Sequence, residues 1–191
     1  MTDADERIEG QVIEEQLDPE RETRRRFALA QIRQYPDAAL KMQARPVEQF
    51  DEQLVKLVER MKQLMLDANG IGLAATQIGV LQRLFVFQPH EDEAAAVVNP
   101  QLVDLSDETE VSDEGCLSIQ GGTVPVARSL RVTLVGQDEH GAEVRYELDG
   151  YEARCAQHET DHLDGVLMLD RTTPEARKGA LAILRPRIVL T

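Results

Sequence analysis

Two histidines and one glutamate in the C-terminal half of the chain have the spacing of a metal site on a helix. His158 and His162 enclose Glu159 in the run Gln157-His158-Glu159-Thr160-Asp161-His162. On an α-helix, residues four apart lie about 40° apart around the axis and roughly 6 Å apart along it, so both imidazoles can bind one ion. The Glu159 carboxylate lies beside them and can transfer protons. The alternative is a solvated helix on which two histidines fall four apart by chance.

A hydrolytic metal centre needs a third protein ligand and an open position for water. Cys116, Cys155 and many carboxylates are candidates. Cys155 is seven residues from His162, or roughly 10 Å along a helix, a separation that disfavours sharing one ion with both histidines. Cys116 follows Gly115, whose backbone permits a close approach to the helix, so we predict Cys116 as the third ligand. This set of donor atoms by itself predicts zinc.

A glycine-rich segment precedes these residues in the run Gly70-Ile71-Gly72-Leu73-Ala74-Ala75-Thr76-Gln77. Its glycines allow another backbone to approach closely, as an extended peptide does when it adds a strand. The Gln77 amide and a backbone N–H near Leu117 can donate hydrogen bonds to an oxyanion that develops on a carbonyl under attack. An ordinary turn at the end of a helix is the alternative interpretation. The segment lacks the pattern of a dinucleotide or phosphate loop.

The composition indicates one soluble domain. The chain has 191 residues, 42% of them hydrophobic, which suffices for one well-packed core. Its net charge of −14 disfavours tight binding to duplex nucleic acid or to an anionic membrane. No apolar stretch follows Met1, and no run approaches the roughly 18 apolar residues that span a bilayer, so we expect a cytoplasmic protein. In a reducing cytosol, Cys116 and Cys155 should be free thiols.

Helical periodicity recurs in three parts of the chain, at about 51–70, 151–165 and 174–184. The first of these predicted helices has Asp51 as its N-cap and Gly70 as its stop. The second carries both histidines and Glu159.

Short strand-like runs lie between these helices, and they are Leu84–Phe87, Ala96–Asn99, Val103–Leu105, Val132–Val135 and Val144–Leu148. We therefore predict a mixed α+β fold, with mainly antiparallel short sheets packed around a central helix that carries the H-E-x-x-H motif. Residues 1–26 are charge-dense and predict an extension that is loosely helical or disordered. Residues 27–191 are predicted to form a single catalytic domain.

Taken together, the three motifs make the chain resemble the peptide deformylase family, which removes the formyl group from the N-terminal methionine of new bacterial or organellar proteins. The family's motifs are G-x-G-x-A-A-x-Q, E-G-C-L-S and Q-H-E-x-D-H, and all three are complete here, in the family's order. The resemblance extends from about Ile32 to Asp170. It implies a hydrolase that releases formate from nascent N-formyl-methionyl polypeptides in the cytoplasm, with the ribosome as a candidate site of action.

The resemblance also implies a metal and a proton-transfer group. Cys116, His158 and His162 match the family's ligands of one divalent ion, which is Fe(II) and can be replaced by nickel, cobalt or zinc. Glu159 matches the general base, which later acts as an acid.

Further residues match the family's positions around the substrate. Gln77 and the N–H of Leu117 match the groups that stabilise the tetrahedral intermediate. Cys155 either lines the pocket for the methionine side chain or packs in the core. The residues that match substrate-binding positions are Ile71, Gly72, Leu117 and Tyr151.

Two other functions are compatible with an H-E-x-x-H motif. A zinc endopeptidase usually takes its third ligand from farther along the chain, and only Asp170 and Glu175 are nearby candidates here. A non-catalytic module would use the ion only to stabilise the fold, but such structural sites normally have four protein ligands.

Other features go beyond the family pattern. Gln120-Gly121-Gly122 replaces a proline-led loop common after the second motif, so preferences beyond the methionine need not follow the family. We also hypothesise that Glu114 and Arg128 pair behind the metal ligands. A ribosome-docking role for the N-terminal extension is one candidate beside disorder.

Overall fold

The structure of the protein, a computed structural model, describes residues 18–89 and 93–184. Its helices are α1 (Pro19–Gln31), α2 (Glu52–Asp67), α3 (Gly150–Leu163), α4 (Met168–Arg171) and α5 (Pro174–Leu184). Its strands are β1 (Gly72–Ala74), β2 (Leu84–Phe87), β3 (Ala95–Val103), β4 (Thr109–Cys116), β5 (Ile119–Ser129), β6 (Arg131–Gln137) and β7 (Glu143–Asp149). The predicted α+β class is confirmed. Among the described helices, none combines the length and apolar character that crossing a bilayer requires.

The strands form two sheets. The larger has the order β1-β2-β3-β6-β7, and every neighbouring pair in it is antiparallel. The smaller is the hairpin of β4 and β5, whose strands are joined by a two-residue turn at Leu117 and Ser118. The turn at 138–141 connects β6 to β7. Gly141 in that turn has a φ of 86°, a left-handed conformation that favours glycine.

Strand β2 shows how the larger sheet is covered on both faces. Successive side chains of a strand point to opposite faces. Phe85 and Phe87 pack in one cluster with α3, whereas Leu84 and Val86 pack in another cluster with α2. All four side chains are fully buried. Since burying an apolar side chain of this size contributes roughly 1.5–3 kcal/mol, this strand helps to hold the two helices on opposite faces of the sheet.

Helix α2 forms where periodicity predicts it. Asp51 accepts hydrogen bonds from the N–H groups of Gln53 and Leu54, each at 3.0 Å, and so caps the helix. The helix ends at Asp67, before the predicted stop, because Asn69 adopts a left-handed conformation with a φ of 56° and the Gly70 N–H then donates back to the Met65 carbonyl. Its buried stripe consists of Leu54, Val58, Met61, Leu64 and Met65.

Helix α3 lies at the centre of the molecule. It contacts six of the strands, from both sheets: β1, β2, β3, β5, β6 and β7. Residues 158–162 form its C-terminal part, and His158, Glu159 and His162 are all buried. The alternative interpretation of these residues as part of a solvated helix is therefore wrong.

The strands differ from the sequence-based prediction in two places. The hairpin of β4 and β5 was not predicted, because the first five residues of β4 are all exposed and give no apolar alternation. The runs predicted at 96–99 and 103–105 belong largely to one strand, β3, which continues through an irregularity between Val98 and Gln101 and ends at Val103. Leu105 lies outside the strand.

The predicted N-terminal extension is described only in part, since residues 1–17 lie outside the described residues. Helix α1 is capped by Asp18, whose side chain accepts a hydrogen bond from the Glu20 N–H at 3.2 Å. This helix crosses the predicted boundary between residues 26 and 27, and Ala28 and Leu29 pack in the core with α2. The division into an extension and a catalytic domain stays a prediction.

Candidate metal centre and active site

Three side chains from two elements bring metal-binding atoms together. His158 Nε2 lies 3.2 Å from His162 Nε2, which lies 3.3 Å from Cys116 Sγ. The three ligand atoms are all within 4.8 Å of one another, and no other such group of His, Cys, Asp or Glu occurs in residues 18–89 and 93–184. Cys155 and Asp170 are not part of this group.

The donor atoms and their spacing fit a divalent ion. Ligand atoms bound to one tetrahedral ion at about 2.0–2.3 Å would be roughly 3.3–3.6 Å apart, close to the observed distances. One thiolate and two imidazoles suit zinc and other first-row transition metals. Three protein ligands, among the residues described, leave a position for water or substrate. This arrangement favours a catalytic site over a purely structural one.

Cys116 is positioned by the turn between β4 and β5. The register of the hairpin shifts directly before this residue, and Leu117 and Ser118 follow as the turn. The Leu117 carbonyl accepts a hydrogen bond from Gln34 Nε2 at 3.0 Å, and the Ser118 carbonyl accepts one from the Tyr35 N–H at 2.9 Å. The segment around Tyr35 therefore fixes the turn that carries the thiol.

The buried carboxylate of Glu114 supports His158 from behind. Its Oε2 lies 3.0 Å from His158 Nδ1, so the other ring nitrogen faces the ligand group. Arg128 donates to both oxygens of Glu114, at 2.9 and 3.1 Å, which is the pair hypothesised from the sequence. Arg154 also donates to Oε1 at 2.9 Å. Sequence analysis missed Arg154, although its position four residues before His158 puts both on one helix face.

Arg128 extends this network to Asp161. Its Nη1 donates to Asp161 Oδ2 at 2.6 Å, and Arg171 donates to both oxygens of the same carboxylate, at 3.1 and 2.6 Å. The network therefore ties β5 to α3 and α4 behind the metal ligands. Asp161 was also missed from the sequence, although it lies inside the third motif.

Charge pairing determines how these groups ionise. Burial disfavours the charged form of Glu114, but hydrogen bonds and positive charge from His158 and Arg128 outweigh it and lower the Glu114 pKa to about 2. Burial also acts to lower the pKa of Arg128, but Glu114 and Asp161 raise it above its usual value. Both groups therefore stay charged at neutral pH. An ionised carboxylate only accepts hydrogen bonds, so the proton between Glu114 and His158 belongs to Nδ1.

The two imidazoles have pKa values that shift in opposite directions. Burial acts to lower the pKa of His158, but hydrogen bonds with Cys116 and Glu114 outweigh burial and raise it. Burial and the positive charge on His158 lower the pKa of His162. Because two like charges this close repel, at most one of the two rings carries a positive charge.

Glu159 is buried beside the ligand group. Its side chain packs against Gly72 of β1, where a Cβ atom would come within 2.8 Å of Glu159 Cγ and Cδ. Burial raises the pKa of Glu159 to about 7, although the charge of His158 and a hydrogen bond from the Ala74 backbone act in the opposite direction. Its Oε2 has no hydrogen-bond partner among the described residues. A carboxyl group with such a pKa can accept and release a proton near neutral pH.

The amide of Gln77 is oriented by two hydrogen bonds. Its Oε1 accepts from the Ala74 N–H at 2.8 Å, which directs Nε2 toward the β4–β5 turn. There Nε2 donates to Ser118 Oγ at 3.1 Å and lies 3.7 Å from Cys116 Sγ. A neutral donor therefore lies next to the ligand group. Sequence analysis missed the Ser118 hydroxyl, which helps to hold it.

A cavity of about 510 Å³ opens at the ligand group, within the size range of small-molecule sites. Cys116, His158, Glu159 and Gln77 contribute to its wall, whereas His162 lies behind it. Cys155 lines the cavity and also packs in the cluster around α3. The residues predicted to bind substrate all line the cavity, and they are Ile71, Gly72, Leu117 and Tyr151.

Comparisons with known proteins identify the family of this chain. The family model described as polypeptide deformylase matches residues 29–178. The chain belongs to the polypeptide deformylase family. The resemblance noted from the three motifs is thus confirmed.

Individual relatives and solved structures are similar over most of the chain. The peptide deformylase of Thermotoga maritima is 45% identical over 146 residues, which cover 76% of this chain and 88% of the relative. Peptide deformylase 1 of Corynebacterium glutamicum is 44% identical over 162 residues, which cover 83% of this chain and 96% of the relative. The crystal structure of the Thermotoga maritima deformylase superimposes with a TM-score of 0.72, covering 75% of this chain and 97% of that one. The Synechococcus elongatus deformylase, solved in complex with actinonin, is 37% identical and has a TM-score of 0.76. The match covers 80% of this chain and 86% of that one.

Proposed function

We propose that this chain hydrolyses the N-formyl group of the N-terminal formyl-methionine of newly made proteins and releases formate. Membership of the polypeptide deformylase family supports this reaction. The observation that links it to particular residues is the convergence of Cys116, His158 and His162 at a cavity that Glu159 and Gln77 also line. The comparisons give no support to a zinc endopeptidase.

Cys116, His158 and His162 are the residues that would hold the metal ion on which this family depends. We propose Fe(II) as the native ion, as the resemblance to the family implies, with zinc, nickel or cobalt as substitutes that a mixed thiolate and imidazole set also accepts. When bound, the ion supplies Lewis acidity, which polarises a carbonyl and lowers the pKa of water. Glu114 would keep His158 in the tautomer that presents Nε2 to the ion.

Glu159 is the proposed proton-transfer group. It is buried at the cavity wall next to His158, and its pKa of about 7 lets it take a proton from water and pass it to the leaving amine. No other unpaired carboxylate in the described part of the chain is buried beside the ligand group.

Gln77 and the backbone N–H of Leu117 are the proposed donors to the oxyanion of the tetrahedral intermediate. The Gln77 amide is fixed by Ala74 and Ser118, and the Leu117 turn by Gln34, so neither donor has to reorganise during the reaction. Preorganised donors of this kind account for a large part of transition-state stabilisation in acyl transfer.

The substrate would lie along the Gly70–Gly72 segment. Gly72 lets the peptide backbone come close to Glu159, and Ile71, Leu117, Tyr151 and Cys155 surround the space available for a methionine side chain. The proposed partners are nascent N-formyl-methionyl chains in the cytoplasm, at the ribosome or after release from it.

An assay with three matched peptides tests this function. Under anaerobic conditions, the protein should hydrolyse a formylated Met-Ala-Ser peptide, leave the acetylated peptide intact, and cleave no internal bond of the unmodified one. Metal analysis of the same sample should find about one equivalent of a divalent ion per chain. Cleavage within the unmodified peptide would instead support the endopeptidase.

A further inference from the structure

Arg25 lies on the wall of the active-site cavity but outside the region that matches the family model. It belongs to α1, which begins at Pro19, whereas the family match begins at residue 29. Leu29 lines the same cavity one helical turn later, so α1 presents one face to it. The family model therefore does not cover this cation.

Helix α1 is anchored over the cavity. Ala28 and Leu29 pack in the hydrophobic core with α2. Near the other end of the helix, Arg21 donates a hydrogen bond to Asn69 Oδ1 at 3.3 Å, and Asn69 itself lines the cavity. Arg25 lies between these anchors, so its Cα position is held by the fold.

Arg25 is half-buried, and its guanidinium has no hydrogen bond or ion pair with any residue in 18–89 and 93–184. On the same wall, Glu114 pairs with Arg154, and Glu159 lies beside the metal ligands. Asp113 of β4 is an exposed carboxylate that would repel an anion near that strand. An unpaired guanidinium in a cleft is suited to binding a carboxylate, with which it forms charge-assisted hydrogen bonds.

The chain itself limits which part of a bound peptide can reach Arg25. Gly72 lies against Glu159, and Asn69 precedes it by three residues beside α1. Three residues span at most about 10 Å, and an extended peptide rises about 3.3 Å per residue. A peptide that runs along this segment in the direction from Gly72 to Asn69 would bring the first three residues after the formyl-methionine near α1.

We propose that Arg25 binds the carboxylate of an aspartate or glutamate at one of the first three positions after the formyl-methionine. This inference rests on the proposed deformylase function and names part of its substrate preference. The net charge of −14 disfavours acidic peptides in general. Arg25 supplies a local attraction, so the preference belongs to one position of the peptide and not to its total charge.

The test compares formylated peptides that carry Glu or Gln at a single one of these positions. At one position, kcat/KM for the wild type should be about 2- to 5-fold higher for Glu than for Gln, as expected for a partly solvated ion pair. Added salt should reduce this ratio. Arg25→Gln should bring the ratio to one or below, and Arg25→Glu should favour Lys at the same position.

Arg24→Gln is the matched control, because Arg24 is an exposed neighbour on α1 that does not line the cavity. It makes the same change in net charge and should keep the wild-type ratio. Equal ratios in the wild type and Arg25→Gln at all three positions would overturn the inference, as would an equal loss in Arg24→Gln. In both cases the formyl peptides are still hydrolysed, whereas a metal-loaded wild type that hydrolyses none of them refutes the proposed function itself.

Discussion

The Glu114 carboxylate lies 3.0 Å from Nδ1 of His158 and is kept ionised by its low pKa. A carboxylate in this position orients a ligating imidazole and makes it more basic. We therefore expect Glu114→Gln to weaken metal binding by about 10- to 100-fold. Competition between the protein and a chelator for zinc or nickel, at fixed pH, measures the change.

Glu110→Gln is the control for this substitution, because Glu110 lies on the same strand with an exposed side chain. Its metal affinity should equal that of the wild type. Glu114→Gln also leaves Arg128 and Arg154 without their buried counter-charge, which lowers stability, so thermal unfolding is followed for each variant. Wild-type affinity in a folded Glu114→Gln protein would contradict the orienting role.

The parts of this site that the sequence predicts are those set by local spacing. His158 and His162 are one helical turn apart, and Asp51 caps α2 through hydrogen bonds to N–H groups two and three residues away. Such relationships follow from helix geometry alone. Helix geometry does not relate Cys116 to His158, because the two residues are 42 positions apart in the sequence. Its assignment as a ligand also used the motif that contains it.

The buried ion-pair network contains contacts that local sequence patterns do not predict. Arg128 pairs with Asp161 and Glu114, which lie 33 and 14 positions away in the sequence. The pair of Arg128 with Glu114 was hypothesised from the sequence, but nothing in the spacing of the 21 basic and 35 acidic residues selects Asp161 as the second partner of Arg128. Arg128 itself interrupts the apolar alternation of β5, in which Val124 and Val126 are buried.

Substitution of Glu159 separates proton transfer from metal binding. Glu159→Ala should lower kcat by about 10²- to 10⁴-fold, the usual contribution of a general base, because it removes the proposed proton acceptor. It should keep the wild-type metal content, since the Glu159 carboxylate is not one of the three converging ligands. Steady-state kinetics and metal analysis of one preparation measure both quantities.

Glu159→Gln gives the shape-conserving comparison, because the amide fills the same space but cannot take up a proton. Its kcat should fall as far as that of Glu159→Ala. An active enzyme with either substitution would refute the proton-transfer role.

Gly72 is predicted to matter through the space beside Glu159. In Gly72→Ala, the new Cβ would overlap Oε1 of Glu159 and come within 2.8 Å of its Cγ and Cδ. The flexible carboxylate can move away, so the free energy of unfolding should change little. A displacement of about 1 Å at a catalytic group can cost up to 10²-fold in rate, and we expect kcat to fall by at least about 10-fold.

Gly179→Ala makes the same chemical change where nothing lies within 4 Å of the new Cβ. Gly179 is in α5, so alanine there should raise the free energy of unfolding by about 0.5–1 kcal/mol and leave kcat unchanged. If Gly72→Ala retained the wild-type kcat, the close packing of Glu159 on β1 would have no role in the reaction.

Asp170 gives a pH-dependent contribution to stability away from the active site. Its carboxylate pairs with Lys41 and accepts a hydrogen bond from the Leu167 N–H at 2.8 Å. Burial acts to raise the Asp170 pKa, but these two partners and the charge of Arg177 outweigh it and lower the pKa. A lowered folded-state pKa stabilises the fold above the unfolded-state value of about 3.9, and this stability is lost as the pH falls through the folded-state pKa.

We therefore expect Asp170→Asn to lower the free energy of unfolding at neutral pH by up to about 1 kcal/mol, since the pair is partly solvent-exposed. The difference from the wild type should shrink as the pH is lowered from about 6 towards 3, because the wild-type carboxylate becomes protonated there and the substituted side chain does not titrate. Urea unfolding at several pH values measures this difference.

Asp107→Asn, at an exposed site with no ion pair among the described residues, should follow the wild type throughout. A difference that stayed constant over this pH range would mean that the charge of Asp170 does not contribute to stability.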